Sequence, residues 1–265
     1  MHFNFNFSTG QVLWTLTLAA LLVLLVVLLG RDRVRRFPWF TASVVLMALD
    51  RLAGRLLYHR LPLVLSEEIF LALADVAAIV ALLVVVEFAR RAFAGAGRRA
   101  WIAATLALLA VGGVVLALWG PWPSFKTLMG ASETSVLRLM ELFAQKAALL
   151  ADVLTIQLGL LVALCGRRYS AGWRSHTQQI VIGLSTVSIA QLAIQRTQQL
   201  IATHTIIHGA AEYQRVVGLM NKLNYAFAVI CLVVLVWWIM CLWIDEPGTK
   251  KQGTGIRDQG SESGI

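Results

Sequence analysis

The sequence predicts an all-α fold, a seven-helix bundle that spans a membrane with its N-terminus outside and its C-terminus in the cytoplasm. Three observations carry that prediction. The 265-residue chain is 58% apolar and only 14% charged, whereas a soluble domain carries about 25% charge. Apolar runs of roughly 20 residues recur, each long enough to cross about 30 Å of hydrocarbon. Lys and Arg gather in alternate connecting segments, the asymmetry that orients membrane proteins.

The opening "MHFNFNFSTG" lacks a basic leader, and no small-residue cleavage site follows the first apolar run. That run, 11–30, is therefore expected as a retained span rather than a signal peptide. "RDRVRR" follows it. The second span, 38–58, opens on Pro38, a residue suited to a first helical turn. The third, 67–92, is expected to start from a Ser66 cap with Glu67 and Glu68 in its first turn, where acids favour a helix start. The fourth, 101–119, stops at "GPWP". The fifth, 136–166, makes about 45 Å of helix and must tilt or project beyond the hydrocarbon. The sixth is 178–203, and the seventh, 222–244, ends in "VWWIMCLWI", an interfacial aromatic belt. These spans form one transmembrane domain, 1–244. Residues 245–265 are polar and without periodicity, and are expected as a disordered cytoplasmic tail.

Charge sets the orientation. With the N-terminus outside, the inner loops and tail hold 14 Lys and Arg: four in 31–36, four in 90–99, three in 167–174 and three after 245. The outer segments hold five: Arg60, Lys126, Arg138, Arg215 and Lys222. If the sixth segment failed to cross, the balance would be nearly as good, so charge alone fixes the first five spans. The net charge of +9 follows from these loops and gives no reason to expect a nucleic-acid partner. Cys165, Cys231 and Cys241 have no metal spacing, and no disulfide is expected.

The sixth span contains "QLAIQRTQQL", residues 191–200, which is expensive in hydrocarbon. Ser188, Gln191, Gln195 and Gln198 step by three or four residues and share one helical face, so the segment suits a helix packed inside a bundle. Other spans offer polar partners: Asp50, Arg51 and Arg55 on the second, Asp75 on the third, Lys146 and Asp152 on the fifth. By residue counting, Asp50, Asp75 and Asp152 fall roughly 12–14 Å below the outer boundary, with Gln195 and Arg196 at a similar depth. The expectation is one buried polar layer in the outer half. It serves as interhelical glue, as a ligand or ion pocket, or as a proton relay through an aspartate. Glu87, with Arg90 and Arg91 three and four residues on, fits a local pair at the inner interface instead.

"HTIIHGAAE" places His204, His208 and Glu212 at four-residue steps. On a continuous helix they would share a face and could ligate zinc. There is no HExxH, and Gly209 threatens the helix, so an amphipathic outer helix is the plainer reading. A retinal protein needs a lysine in the middle of the last span; Lys222 lies at its edge, so no retinal, and no other cofactor, is expected. No P-loop, Rossmann fingerprint, nucleophile elbow or CxxC occurs, and the chain reads as a non-enzyme. Helices 1–3 and 5–7 share a direction sequence, so the fourth could link two parallel triplets as in some small carriers; the triplets show no convincing sequence match.

The leading expectation is a multi-pass receptor or sensor of the cell membrane, with a polar site for a small molecule or ion in its outer half. Its partners are the lipid bilayer and a cytoplasmic or membrane protein docked on the basic loops. Two other readings stay open: a small-solute or proton-coupled transporter using Asp50, Asp75 or Asp152, and an accessory structural subunit of a membrane complex.

Overall fold

The computed structural model describes residues 8–56, 62–93, 98–119, 122, 133–165, 175–205 and 209–244. Among them are seven helices and no strand: α1 Thr9–Gly30, α2 Pro38–Leu56, α3 Leu63–Ala92, α4 Arg98–Leu118, α5 Glu133–Cys165, α6 His176–His204 and α7 Ala210–Trp243. Five of them, α1, α3, α5, α6 and α7, are long and apolar enough to cross a membrane. Of the seven expected spans, the other two are shorter: α4 has the apolar stretch Ile102–Leu118, and α2, at 19 residues, carries Asp50, Arg51 and Arg55 in its last two turns. The tail 245–265 lies outside the described residues.

Local chemistry explains the helix ends. Ser8 and Gln11 form a reciprocal capping box at α1, with bonds of 3.3 and 3.2 Å, which satisfies two of the otherwise unpaired N–H groups of a helix start. At the other end Asp32 adopts φ 49°, and Arg33 N–H donates to the Leu28 carbonyl at 2.9 Å. This reversal is of the Schellman type and leads the chain to α2 within a few residues. Ser66 is not the cap of α3. The helix begins three residues before it, after Pro62, and Ser66 N–H already bonds to the Pro62 carbonyl at 3.0 Å. The proline fixes the extended approach, so the helix starts there rather than at the serine. α7 likewise starts at Ala210, twelve residues before the apolar run, because 210–221 continue the same helix.

The helices close a ring in the order α1, α2, α3, α5, α6, α7 and back to α1, while α4 lies outside it with its principal contacts on α5. Neighbours run antiparallel within each triplet. Trp14 meets Arg51, Phe40 meets Glu87, Asp152 meets Ser188, and Gln198 meets Asn224. α1 and α7 run parallel, since Gly10 faces Tyr225 and Arg31 lies over Trp243. Three steps around this ring carry α1–α3 onto α5–α7, the order that two parallel triplets joined by a linking helix would give.

One end of the ring carries Arg31, Arg33, Arg35, Arg36, Arg90 and Arg91 and is called the basic end; the other is the distal end. The buried core sits toward the basic end. Buried residues of α1 begin at Thr17, those of α2 stop at Ala48, those of α6 stop at Ser188, and those of α7 begin at Val234. Phe40 stands edge-on to Trp238 with ring centres 5.1 Å apart and contacts Phe88 at 6.0 Å. Two glycines bring backbones close, as small residues do where helices pack in lipid. A Cβ on Gly159 of α5 would overlap the Ser185 hydroxyl of α6, and one on Gly183 of α6 would overlap the Trp238 indole of α7. The apolar residues left outside, among them Val26, Val86, Leu106, Leu160, Val233 and Met240, form the surface a bilayer covers.

Glu87 does more than the local pairing expected of it. It does pair with Arg91, at 3.3 Å, but its second carboxylate oxygen accepts from Phe40 N–H at 3.1 Å. Phe37 and Pro38 offer α2 no side-chain cap, so a carboxylate from α3 meets the positive end of α2 instead.

Candidate functional site

The polar residues singled out in the sequence fall at three places rather than one. Asp50, Arg51 and Arg55 line a cleft of about 530 Å³ at the distal end, between α1, α2 and α3, together with Ser8, Gln11, Trp14 and Phe70. Arg55 lies over the Trp14 ring at 5.7 Å, and Trp14 Nε1 donates to the Arg51 carbonyl at 3.2 Å. Asp50 is exposed and Arg51 half-buried.

A second cleft, of about 670 Å³, lies across the ring at the same end. It is lined by Trp119 beyond α4, by Leu142, Gln145, Lys146, Ala148 and Leu149 of α5, by Gln195, Gln198, Gln199 and Ala202 of α6, and by Met220 of α7. Lys146 donates to the Trp119 carbonyl at 2.6 Å and lies 4.5 Å from the centre of the Trp122 ring. Arg196, which is exposed, stacks over Trp119 at 4.8 Å and donates to Gln199 at 3.2 Å. Gln198 bonds Asn224 of α7 at 2.9 Å, and Gln145 bonds Glu141 at 3.0 Å. The two clefts occupy matching places in the two triplets, one among α1–α3 and the other among α5–α7.

The third place is deeper. Ser188 donates to Asp152 at 2.7 Å between α5 and α6. Helix register then sets the depths. From that contact, seven residues along each antiparallel helix bring Gln195 opposite Gln145, and both line the larger cleft. Asp152 therefore lies about 10 Å, two turns, nearer the basic end than Gln195. The common depth expected of Asp152 and Gln195 is corrected accordingly. A depth counted from each helix's own outer boundary assumes that α5 projects beyond α6, whereas the two run side by side to the distal end.

Asp75 is half-buried on α3, and its Oδ1 is fully buried without a hydrogen-bond partner among the described residues. Among the described residues, none of Asp50, Asp75 and Asp152 forms a salt bridge within 4 Å. Of the cations that the sequence suggested as partners, Arg55 lies over Trp14, Arg196 lies over Trp119 and bonds Gln199, and Lys146 is held by the Trp119 carbonyl and the Trp122 ring. Gln191 is half-buried on the same face of α6 as Ser188, Gln195 and Gln198.

Sequence reading did not single out Gln145, Gln199, Trp119 or Trp122. For the tryptophans the signal lay in "WGPWP", where two of them stand just past the end of the fourth span. The metal reading loses its geometry. α6 ends at His204, Thr205 leaves the helix in an extended conformation, and α7 begins after Gly209. His204 and Glu212 therefore sit on different helices, and His208 lies outside the described residues. Among the described residues no group of three His, Cys, Asp or Glu is placed to hold a metal.

The fold and the lipid-facing apolar surface define a helical membrane protein. No family model, curated protein or solved structure matches the chain.

Proposed function

We propose that this protein is a small-solute carrier of the cell membrane, with its N-terminus outside and its basic end in the cytoplasm. The orientation rests on the excess of Lys and Arg in 31–36, 90–99, 167–174 and the tail. A cytoplasm-active reporter fused after Ile244 should be active, and one fused at Gly130 silent.

One observation carries the carrier reading: α6 carries polar residues down its interior face from the distal cleft to Ser185, and a further one, Gln178, beyond the buried Val181. Gln198 and Gln195 line the open distal cleft. Gln191 and the Ser188–Asp152 contact come next, followed by the Ser185–Thr155 contact at 3.0 Å. Gln178, 1% exposed, closes the line at the basic end. Buried polar groups are costly unless they serve a path or a partner. Two of those at the closed end, Gln178 Oε1 and Trp238 Nε1, have no hydrogen-bond partner among the described residues; opening that end would hydrate them. The arrangement suits an outward-open state in which the basic half is the closed gate. Asp152 and Asp75 supply carboxylates beside the path, where a proton or cation could be coupled.

A sensor would use the same cleft without opening the basic half, and the interlocked Phe40, Phe88 and Trp238 favour it as the second reading. Cysteine accessibility separates the two. In a background lacking native cysteines, Gln195→Cys should react with a membrane-impermeant maleimide added outside. Ser185→Cys should become reactive from the cytoplasmic side when the carrier turns inward. Ser185→Cys that stays protected from both faces under all conditions would leave a sensor and remove the carrier.

A further inference from the structure

We infer that the larger cleft takes an oxyanion joined to an apolar body, such as a medium-chain or aromatic carboxylate. The inference rests on the cleft being the ligand entry proposed above and names the class of ligand.

Charge and hydrogen-bond supply point to the anion. Lys146 is the cation in the wall. One of its three N–H groups reaches the Trp119 carbonyl, and among the described residues no carboxylate lies within 4 Å of it. Glu141, one turn away on α5, is bonded to Gln145 and does not line the cleft. The Gln199 carbonyl accepts from Arg196, which leaves its two amide N–H groups for another acceptor. The Gln195 side-chain amide makes no hydrogen bond among the described residues. Gln145 and Gln198 each use an amide N–H elsewhere and keep a carbonyl oxygen in the wall. The spare N–H groups of Lys146, Gln195 and Gln199 still outnumber the carbonyl oxygens of Gln145, Gln195 and Gln198, and a carboxylate, which accepts through two oxygens, fits that surplus.

The rest of the wall points to the apolar body. Leu142, Leu149, Ala202 and Met220 face the same space. At about 670 Å³ the cleft is of ordinary size for a small-molecule site. A cation would meet Lys146 directly, and a small hydrophilic anion would leave the apolar wall uncovered.

The test measures binding to the full chain in nanodiscs with octanoate, octanamide and octyltrimethylammonium as probes. Octanoate should bind saturably and at least tenfold more tightly than the other two. Lys146→Met should remove that preference, and Lys146→Arg should keep it, which guards against a misfolded variant. Repeating the titration with and without phosphatidylglycerol distinguishes the source of the anion. Competition would assign the cleft to an anionic lipid headgroup, and no competition to a free acid; both fit the shared chemistry. Equal binding of octanamide and octanoate, or full octanoate selectivity in Lys146→Met, would overturn the inference. If Gln195→Cys is still labelled from outside in that case, only the ligand class fails. If it is not labelled, the cleft itself fails as an entry.

Discussion

The two halves of the bundle are built from the same seven helices and differ in how they pack. In the basic half, helices approach through Gly159 and Gly183 and interlock through Phe40, Phe88 and Trp238. In the distal half, α6 beyond Ser188 and α7 before Val234 have no buried residue, and two clefts lie between the helices. Inside a membrane no hydrophobic force draws helices together, so close association depends on shape and on small residues at the contact. Where those are present the ring is sealed; where glutamines, arginines and tryptophans replace them, it stays open.

The largest expected effect is on the seal. Trp238→Ala removes a ring that is 3% exposed from between Phe40 and Gly183, and should cost about 3–5 kcal/mol. Trp122→Ala, at the mouth of the distal cleft and 53% exposed, should cost far less. Thermal unfolding in one detergent compares them directly. Equal losses would mean that the distal half is packed as tightly as the basic half.

A pair of glycine substitutions sharpens the same contrast with the smallest possible probe. Gly183→Ala drives a methyl group into the Trp238 indole, and overpacking of this kind costs about 1–3 kcal/mol. Gly218→Ala, in the distal part of α7, meets nothing within 4 Å. It should leave stability unchanged or raise it by up to about 1 kcal/mol, the helix-propensity gain. A melting temperature that falls in Gly218→Ala would reveal a contact in the distal half that this packing does not contain.

Glu87 tests how the seal is held at the basic end. Glu87→Ala takes the acceptor from Phe40 N–H and the partner from Arg91 at once, and should lower stability by about 1–2 kcal/mol. Glu87→Gln keeps an acceptor for Phe40 and should lose less. If the two variants melt together, the contact with Arg91 dominates and the cap contributes little.

Much of this architecture was legible in the sequence, because a run of about 20 apolar residues has few alternatives to a span. The helix ends were less so. Ser66 has the composition of a cap, yet the preceding Pro62 starts the helix first. The polar face of α6 was legible from spacing alone, since three- and four-residue steps hold on any helix. What spacing cannot provide is the register between helices or their order around the ring. Both are set by side-chain fit between segments far apart in the chain. That is why Asp50 and Gln195, expected in one layer, line opposite clefts, and why Asp152 lies two turns below Gln195. Trp119 and Trp122 escaped notice for a related reason: they matter only because Arg196 and Lys146, from other helices, come to rest on them.

Among the substitutions inside the bundle, Asp152→Asn has the smallest expected loss of stability, and it bears most directly on function. A buried carboxylate paired with a cation would leave that cation uncompensated on neutralisation, a loss that can reach about 3–5 kcal/mol. Asp152 instead accepts from the Ser188 hydroxyl at 2.7 Å, and among the described residues it has no cation partner. Asparagine keeps the shape and one oxygen for that hydroxyl, so the substitution should change stability by less than about 1 kcal/mol, the scale of a single hydrogen bond. Its charge is then free for another use, at the boundary between the open cleft and the closed seal. If Asp152 couples a proton or cation to movement of the solute, Asp152→Asn should fold normally, still admit the maleimide at Gln195→Cys, and fail to expose Ser185→Cys on the cytoplasmic side. A variant that unfolds early would return Asp152 to the role of interhelical glue. One that folds and exchanges both sites like the parent would show that the bundle opens without it.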